Sequence, residues 1–472
     1  MTATLASGKL YIDGAFIEAE AAATAPVHEK ATGTPIGAYA QATPADVDRA
    51  VAAARAAQPG WAALSAPARA AHLDRFAAHL HSRYDELIDL SMRETGGVRA
   101  KAEDEVSAGL RQLAISAVQA TQTAGDILQP YKEGKLSLSR AVPLGVLGVI
   151  TPWNYPLNLA MRAVAPGLAF GNTIVLKPAE LTPILGGQIL AEAAHHAGFP
   201  PGVFNLVTGD GPEAGHALAE HRGLDLLDFT GSREVGLAIA ASAATDLRQI
   251  RLELGGSNAF VVLEDADVDL AVSCALIASL EFQGQTCISA SRHIVLREVA
   301  DRYVETVTRR VAALRVGDPV REDVDLGPLI SETQRDRVHQ SIVQPSVAKG
   351  AVVTTGATYE GLFYRPTVLT GVTPDMPAFA EEIFGPVIPI TVVDSEEEAV
   401  ELVNGYPMLM NSVFSADLIR GMTVAERLQA GEVHVNDAHA RHGAENQMPG
   451  FTRRQWIGVQ RTPLDLPAWT RR

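Results

Sequence analysis

Val146-Leu147-Gly148-Val149-Ile150 is the stretch that decides the fold, together with the next apolar run, Thr173–Leu176. Each run is short and almost wholly apolar, and a helical segment of ten or more residues separates it from the next. The same alternation continues through Val203–Val207, Leu224–Phe229 and Ile250–Leu254. Apolar strands separated by helices are typical of a parallel sheet with both faces covered. The sequence therefore predicts an α/β fold.

A second set of strands follows the pair Gly255-Gly256, where we place the break between two successive α/β units. Its predicted strands are Ala259–Leu263, Arg292–Leu296, Val352–Thr355, Val387–Val393 and Val433–Asn436. The chain contains no low-complexity linker or internal repeat. At 472 residues it is long enough for two or three domains.

The flanking regions carry weaker signals. Thr43-Pro44 predicts a helix start, because a hydroxyl caps the helix and proline suits its first position. Helical segments then run to Gly96-Gly97, and another helix is expected over residues 100–121. Leu136–Arg140 alternates apolar and polar residues like an exposed strand. The tail from about Gln447 is predicted to be an extended arm or strand.

Composition narrows the classes of function. The net charge of −16 argues against nucleic acid or an anionic membrane as a partner. Met1–Leu10 lacks the layout of a signal peptide, and no apolar run is long enough to span a bilayer. Two cysteines in a chain of this size indicate a reducing compartment. We therefore expect a soluble cytoplasmic protein.

Several loops at the ends of the first strands are suited to a dinucleotide. Lys177 and Glu180 follow the strand Thr173–Leu176, at the sheet edge where open α/β sheets bind ligands. Glu180 could accept hydrogen bonds from ribose hydroxyls and would repel a 2′-phosphate, which favours NAD over NADP. The alternative is a surface ion pair. Gly231 and Ser232 form a second such turn, although the G-x-G-x-x-G fingerprint is absent.

Cys287 ends the segment Phe282-Gln283-Gly284-Gln285-Thr286-Cys287, a polar, turn-like environment for a thiol. Cys274 has apolar neighbours at helical spacing and fits a small buried hydrophobe. A thiol near a helix N-terminus or a pyridinium cation would ionise readily and act as a nucleophile. His293 lies near enough in sequence to suggest a cysteine hydrolase. However, a histidine in a predicted strand is more often a satisfied core residue.

Two further motifs supply the remaining groups for such chemistry. Glu253 lies beside a pair of glycines and offers a carboxylate base. The segment Thr151-Pro152-Trp153-Asn154-Tyr155-Pro156 holds an amide and two aromatic rings between prolines. An asparagine amide donates well to an oxyanion, and the rings can line an apolar pocket. The alternative is a rigid aromatic turn.

Taken together, these motifs resemble the aldehyde dehydrogenase superfamily from about Leu10 to Pro449. The resemblance implies that Cys287 is the nucleophile, Glu253 the general base and Asn154 the oxyanion donor. It also implies a metal-free site that binds NAD. The implied cofactor residues are Thr151, Pro152, Trp153, Lys177, Glu180, Gly231, Ser232, Leu254, Gly255, Glu382 and Phe384. By composition alone, Glu381-Glu382 would be a solvated helix end.

The resemblance also implies a covalent mechanism and a domain plan. The Cys287 thiolate would attack an aldehyde to give a thiohemiacetal, and the thioester left by hydride transfer would be hydrolysed with Glu253 as base. The implied fold is a Rossmann-like NAD-binding domain, an α/β catalytic domain and a small β oligomerisation arm near Tyr131–Arg140. We assign residues 1–122 and 141–252 to the NAD-binding domain and residues 253–436 to the catalytic domain. Residues 123–140 and 437–472 form the arm and tail. The expected assembly is a homodimer or homotetramer.

Within the superfamily, Asn154–Leu159 followed by Arg162 looks most like the benzaldehyde, salicylaldehyde and vanillin dehydrogenase branch, and so does His434–Asp437. The implied pocket residues are Tyr155, Asn158, Arg162, Phe282, Thr286 and Ile288. Three alternatives stay open: an aliphatic or semialdehyde substrate, coenzyme A as acyl acceptor, and a non-catalytic protein that keeps the fold.

The chain departs from the family pattern at two places. Family members usually carry a Pro-Phe-Gly-Gly segment and a Ser-Gly-x-Gly-Arg turn after the last catalytic strand. Here Gln447-Met448-Pro449 runs directly into Gly450-Phe451-Thr452. Tyr406-Pro407-Met408-Leu409 replaces the usual Tyr-Gly-Leu. The missing block normally lies near the substrate entrance and the subunit contact, so its loss bears on substrate range and assembly.

Overall fold

The computed structural model describes residues 7–122, 124–130, 133–406, 408–438 and 448–460. The first half contains β1 (Leu10–Ile12), β2 (Ala15–Ile17), β3 (Thr24–His28), β4 (Pro35–Ala40), α1 (Pro44–Ala63), α2 (Ala66–Ser82), α3 (Tyr84–Thr95), α4 (Arg99–Ala120), β5 (Gly125–Leu128), β6 (Lys135–Pro143), β7 (Val146–Ile150), α5 (Pro156–Ala169), β8 (Thr173–Lys177), α6 (Ile189–His196), β9 (Phe204–Leu206), α7 (His216–Glu220), β10 (Leu226–Gly231), α8 (Arg233–Ala243) and β11 (Gln249–Leu254).

Seven of these strands form one sheet in the order β11-β10-β7-β8-β9-β1-β2. The strands from β11 to β9 run parallel, and β1 joins β9 in the antiparallel sense. The five parallel strands are those that the alternation around Val146 predicted. The α/β fold class is confirmed.

The predicted helix boundaries follow from local chemistry. Thr43 caps α1 through a capping box, in which its hydroxyl accepts from the Asp46 backbone N–H and the Asp46 carboxylate accepts from the Thr43 N–H. Gly96 ends α3 in the left-handed conformation, with φ of 79°. The predicted helix over residues 100–121 is α4.

The second half contains β12 (Asn258–Val262), α9 (Val268–Leu280), β13 (Ala290–Leu296), α10 (Arg297–Ala312), α11 (Glu332–Asp336), α12 (Gln344–Ala348), β14 (Val352–Thr355), β15 (Tyr359–Glu360), β16 (Phe363–Tyr364), β17 (Thr367–Thr370), α13 (Pro377–Ala380), β18 (Val387–Val393), α14 (Glu396–Asn404), β19 (Met410–Phe414), α15 (Leu418–Ala425), β20 (Glu432–Val435), α16 (Met448–Phe451) and β21 (Thr452–Gln460). A second seven-stranded sheet has the order β14-β17-β18-β13-β12-β19-β20.

This second sheet contains two strands that the sequence pattern did not indicate, β17 and β19. Strand β19 has the polar residues Asn411 and Ser412 at its centre, and both are fully buried. The Asn411 side-chain oxygen accepts a hydrogen bond from the Ala259 N–H at 2.8 Å. Because tertiary hydrogen bonds satisfy these groups, a segment with an unremarkable hydropathy pattern can occupy the sheet interior.

A third sheet, in the order β21-β6-β5, contains the predicted strand Leu136–Arg140 within β6. Strand β21 pairs with β6 along its full length, from Thr452 opposite Pro143 to Gln460 opposite Lys135. The predicted extended tail is therefore a strand from Thr452 to Gln460, whereas Met448–Phe451 before it form the short helix α16 instead. Tyr131, Pro407, Gln447 and residues 461–472 lie outside the described residues.

The core that supports the first sheet is built around α5. Nearly every residue of this helix is buried, and Trp61 of α1 donates its indole N–H to the Leu168 carbonyl at 3.0 Å. Pro156 occupies the first turn of α5, where the missing N–H costs nothing. Among the described residues, no helix is both long and apolar enough to cross a bilayer.

Candidate active site

The predicted catalytic residues converge at a site to which segments next to both seven-stranded sheets contribute. A cavity of about 300 Å³ is lined by residues from the ends of β7, β10 and β11, from the turn before β13 and from the loop before β18. Among them are Asn154, Glu253 and Cys287. A neighbouring cavity of about 210 Å³ shares Asn154 and Cys287. The thiol and the amide thus face both spaces, and the carboxylate faces the larger one.

An unusual turn holds Cys287 at this junction. Phe282, Gln283 and Gly284 have successive φ values of 49°, 56° and 68°, a left-handed run that is costly for the two residues with side chains. The Gln283 amide offsets this strain by donating to the carbonyls of Gly96, at 3.0 Å, and Pro328, at 2.7 Å. Hydrogen bonds to distant segments therefore fix the turn that ends at the thiol.

The Cys287 thiol is much less acidic than its polar neighbours in sequence suggested. Burial raises its pKa to about 11, and the nearby Glu382 and Glu253 carboxylates add to the rise. The Arg162 guanidinium acts in the opposite direction. The expected ease of ionisation depended on a helix N-terminus or a pyridinium cation nearby; without such a charge, desolvation in the partly buried site disfavours the thiolate.

We expect the alkylation of Cys287 by iodoacetamide to be slow at neutral pH and to rise about tenfold per pH unit up to about pH 10, since only the thiolate reacts. Removing the Arg162 cation should raise the pKa further, so Arg162→Met should react more slowly at every pH below the plateau. Peptide mapping by mass spectrometry would separate Cys287 from Cys274. A plateau in the Cys287 rate near pH 7 would contradict this prediction.

The Asn154 side chain is buried and its orientation is fixed. Its amide Nδ2 donates to the Gln285 carbonyl at 3.2 Å, while its buried Oδ1 has no hydrogen-bond partner among the described residues. An amide nitrogen carries two N–H groups. The second N–H is therefore free to donate to an atom in the cavity beside Cys287.

Glu253 lies near the end of β11, and Arg251 is its only charged neighbour within ion-pair distance among the described residues. The Arg251 Nη2 lies 3.0 Å from Glu253 Oε1. The Glu253 side chain remains 31% exposed, so water can reach it.

Glu382 and Phe384 form the opposite wall of the larger cavity. Phe384 packs edge-on against Trp153, with ring centroids 5.3 Å apart. Burial raises the pKa of Glu382 to about 7, with Arg337 opposing, and its Oε1 has no partner among the described residues. The interpretation of Glu382 as a solvated helix end is wrong, because α13 ends before it and the side chain turns inward. A side chain on Gly255 would collide with this carboxylate.

Lys177 lines a further cavity of about 440 Å³, with Gly211, Gly215 and the apolar side chains of Ile150 and Phe229. Its Nζ lies 3.5 Å from Glu180 Oε2, so the ion pair considered as an alternative is present. The lysine is buried, however, and burial lowers its pKa while Glu180 raises it. A buried cation at the edge of an open cavity is suited to a polar ligand group.

The other predicted residues are distributed unequally. Pro152, Gly231 and Ser232 line the larger cavity. Thr151 is buried, and its hydroxyl has no hydrogen-bond partner in the described part of the chain. Thr151, Glu180 and Leu254 do not line any of the three cavities. In the smaller cavity, Tyr155, Asn158, Arg162, Thr286 and Ile288 all contribute to the wall. Phe282 lies behind Tyr155, with ring centroids 5.8 Å apart.

Sequence reasoning missed several residues of both cavities. Asp104, Ala108 and Arg111 of α4 line the smaller cavity, and Glu281 joins them. Gln334 and Arg337 line the larger one, where Arg337 donates to the carbonyls of Glu382, at 2.6 Å, and Ile383, at 2.8 Å. Nothing in the local sequence around these residues indicated a pocket, because the other walls of each cavity come from segments that are distant in sequence.

His293 and Cys274 play no part in this site. His293 is fully buried and bonded to the Ser279 hydroxyl at 2.8 Å and the Tyr303 hydroxyl at 2.7 Å. Burial lowers its pKa to about 3, so it remains neutral. The core interpretation of His293 is confirmed. Cys274 is half-buried in α9 rather than fully enclosed, which is a small correction.

The aldehyde dehydrogenase family matches residues 16–462. The chain is 40% identical over 462 residues to benzaldehyde dehydrogenase [NAD(+)] of Pseudomonas putida, covering 94% of each protein. It is 41% identical to vanillin dehydrogenase of Amycolatopsis sp., covering 89% of this chain and 86% of the relative. Glutarate-semialdehyde dehydrogenase of Pseudomonas aeruginosa is 37% identical, covering 90% and 89%.

A solved structure with the same fold is betaine aldehyde dehydrogenase from Staphylococcus aureus in complex with NAD+. It superposes with a TM-score of 0.94 at 29% identity, covering 99% of this chain and 97% of that one. The sequence match, the shared fold and the resemblance of the motifs agree. The chain belongs to the aldehyde dehydrogenase family.

Proposed function

We propose that this aldehyde dehydrogenase oxidises an aromatic aldehyde to the carboxylic acid with NAD as the electron acceptor. The observation that carries the proposal is the meeting of Asn154, Cys287 and Glu253 at one cavity. A nucleophile, an oxyanion donor and a base are the groups that a thioester route requires.

The chemistry divides among these three side chains. The Cys287 thiolate attacks the aldehyde carbon, and the free N–H of the Asn154 amide donates to the oxygen that becomes negative. Loss of hydride leaves a thioester on Cys287. Glu253 then takes a proton from a water molecule that attacks the thioester, and the acid departs while the thiolate is restored.

The larger cavity and the Lys177 cavity fit a dinucleotide. The unpartnered Oε1 of Glu382 can accept hydrogen bonds from ribose hydroxyls, and Lys177 with Glu180 can bind the second ribose. The other residues that we assign to the cofactor are Thr151, Pro152, Trp153, Gly231, Ser232, Leu254, Gly255 and Phe384. When bound, NAD supplies the hydride acceptor. The Glu180 carboxylate would repel the 2′-phosphate of NADP.

The smaller cavity supports an aromatic substrate. Tyr155, Leu159 and Ile288 provide apolar wall, and Phe282 backs the Tyr155 ring. Two of the relatives carry names that specify benzaldehyde and vanillin. Asn158 and Arg162 at the same wall offer hydrogen-bond donors for a ring substituent.

A second candidate is a semialdehyde substrate. Arg111 and Arg162 both line the smaller cavity, and a substrate carboxylate could pair with either guanidinium. The relative from Pseudomonas aeruginosa is named for glutarate semialdehyde. The two candidates differ in the end of the substrate that is remote from Cys287.

We also propose that the two seven-stranded sheets belong to the NAD-binding and catalytic domains assigned from the sequence. In this plan the β21-β6-β5 sheet is the arm of a homodimer or homotetramer. The exposed apolar side chains of Ile127 and Trp456 on this arm support an association surface.

A substrate panel tests the proposed function. NADH release should be measured with benzaldehyde, vanillin, hexanal and glutarate semialdehyde, each with NAD or NADP and with or without coenzyme A. We expect kcat/KM for the aromatic aldehydes to exceed that for hexanal by at least about tenfold, because an apolar pocket discriminates by 1–3 kcal/mol. Hydrolysis should need no coenzyme A.

Each comparison in the substrate panel has one result that would contradict the proposal. Equal or better turnover of glutarate semialdehyde would favour the second candidate, and Arg162→Met should then raise its KM. Equal rates with NADP would contradict the cofactor assignment. Formation of an acyl-coenzyme A product would contradict the role of water as acceptor.

A further inference from the structure

Glu253 belongs to a partly buried ion-pair cluster whose other members, Asp228 and Arg251, have no role in the proposed mechanism. Asp228 of β10 and Arg251 of β11 are register partners on adjacent parallel strands. The Arg251 Nη1 donates to Asp228 Oδ2 at 3.0 Å, and its Nη2 donates to Glu253 Oε1 at 3.0 Å. One guanidinium therefore bridges a buried carboxylate and the predicted base.

The geometry of the strands fixes this bridge. Arg251 and Glu253 are two residues apart on β11, so both side chains leave the same face of the sheet. Asp228 leaves that face from β10, and its side chain is only 5% exposed. The planar fork of arginine can bind two carboxylates at once, which the single ammonium of lysine does less well.

A residue of the C-terminal tail also packs against the Arg251 guanidinium. The Phe451 ring lies under it, with 5.2 Å from the guanidinium carbon to the ring centroid. Phe451 is buried, and its carbonyl accepts from the Asn172 side-chain amide at 3.0 Å. Phe451 follows closely after the shortened segment at Gln447–Pro449. The tail that departs from the family pattern thus packs on the residue that binds Glu253.

Charges nearly balance within the cluster. Burial raises the pKa of Asp228 to about 6, and Arg251 is the main group that opposes this rise. Arg162 of α5 acts on both Asp228 and Cys287, and Glu382 faces Cys287 from the opposite wall. Burying a carboxylate is costly unless it is paired, so Asp228 requires Arg251 in place.

Only one oxygen of the base is engaged. Arg251 binds Oε1 of Glu253, whereas Oε2 has no hydrogen-bond partner among the described residues. We propose that Arg251 is a positioning residue for thioester hydrolysis: it anchors Oε1 of Glu253 so that Oε2 can take the proton of the attacking water, while Asp228 holds the guanidinium fork. The inference rests on the proposed role of Glu253 as base.

An activated ester isolates the step from hydride transfer, and NAD is present in the assay so that its positive charge favours the Cys287 thiolate. With p-nitrophenyl acetate, the Cys287 thiolate forms a C–S bond to the acetyl carbon as the C–O bond to nitrophenolate breaks. Water then attacks the thioester, its proton passes to Glu253, and the C–S bond breaks to release acetate. The first step gives a burst of nitrophenolate, and the second sets the steady-state rate when hydrolysis is the slower step.

We expect Arg251→Gln to keep the burst amplitude and to slow the steady-state rate about tenfold, less than the roughly 10²-fold that a 1 Å misplacement of a catalytic group can cost. Acetylated protein should accumulate and be visible by intact-mass measurement. Arg251→Lys should recover part of the rate. Glu253→Gln should slow hydrolysis by about 10²-fold. The double variant with Arg251→Gln and Glu253→Gln should be no slower than Glu253→Gln, because Arg251 acts through Glu253.

Arg83→Gln is the matched control. Arg83 also bridges two carboxylates, Glu86 at 2.8 Å and Glu192 at 2.7 Å, but it lines neither of the two cavities at Cys287. Its burst and steady-state rate should equal those of the wild type. If Arg251→Gln does not fold, the charge-neutral pair Asp228→Asn with Arg251→Gln replaces it.

The outcomes separate this inference from the proposed function. An unchanged steady-state rate in Arg251→Gln, together with slow Glu253→Gln, overturns the positioning role. A loss of burst amplitude and rate together, with no recovery in Arg251→Lys, also overturns it in favour of a purely structural role. A normal rate in Glu253→Gln, or no burst in the wild type, contradicts the proposed mechanism itself.

Discussion

Replacing Cys287 by alanine will abolish aldehyde oxidation, with kcat falling on the order of 10⁴-fold or more, as happens when a covalent enzyme loses its nucleophile. The thiol lies at the junction of the two cavities and shares both with Asn154. No other cysteine can take over, because Cys274 lies in α9 and lines neither cavity. The measurement is NADH release with benzaldehyde, under saturating NAD.

The matched control for this prediction is Cys274→Ala. It removes the other thiol of the chain and should leave kcat unchanged within about twofold, since surface and half-buried substitutions rarely act at a distance. Intrinsic fluorescence and thermal unfolding should show that both variants are folded. Substantial NADH release by Cys287→Ala would mean that the reaction does not pass through this thiol.

Replacing Asn154 by alanine will lower kcat about 10²- to 10³-fold, the usual effect of removing one oxyanion donor. The Asn154 amide is buried and held by the Gln285 carbonyl at 3.2 Å, so its remaining N–H is already oriented. A donor of this kind acts on charge that develops in the transition state rather than on the ground-state aldehyde. KM should therefore change much less than kcat.

Asn154→Asp and Asn158→Ala test the reason for this loss. The aspartate keeps the size of the side chain but replaces the donor by a negative charge, so it should be at least as slow as the alanine variant. Asn158→Ala removes another amide from the smaller cavity and should alter KM rather than kcat. If Asn154→Ala raised KM and left kcat unchanged, the result would contradict an oxyanion role.

The raised pKa of Cys287 indicates that its thiol ionises differently in the cofactor-free protein and in the enzyme with cofactor bound. Burial and the carboxylates of Glu382 and Glu253 disfavour the thiolate, while Arg162 favours it. A neighbouring positive charge lowers the pKa of a thiol. An oxidised nicotinamide ring beside Cys287 would add such a charge, and the nucleophile would then be activated mainly when the cofactor is bound.

Local sequence patterns predicted the elements whose structure depends on near neighbours. The parallel strands β7 to β11 follow from apolar runs between helices, and the start of α1 follows from the capping hydroxyl of Thr43. Strand β19 did not follow, because its buried Asn411 is satisfied by a backbone N–H on β12, 152 residues away in sequence.

The sequence by itself determined the fold class and the segments that carry Asn154, Glu253 and Cys287, since periodicity, caps and turn residues act over a few positions. Only the tertiary structure decided what surrounds them. The thiol is half-buried and its pKa is raised, α4 lines the smaller cavity, and Arg251 bridges Asp228 and Glu253. Charge interactions and desolvation depend on distance through space, and these groups meet only when the sheets are assembled.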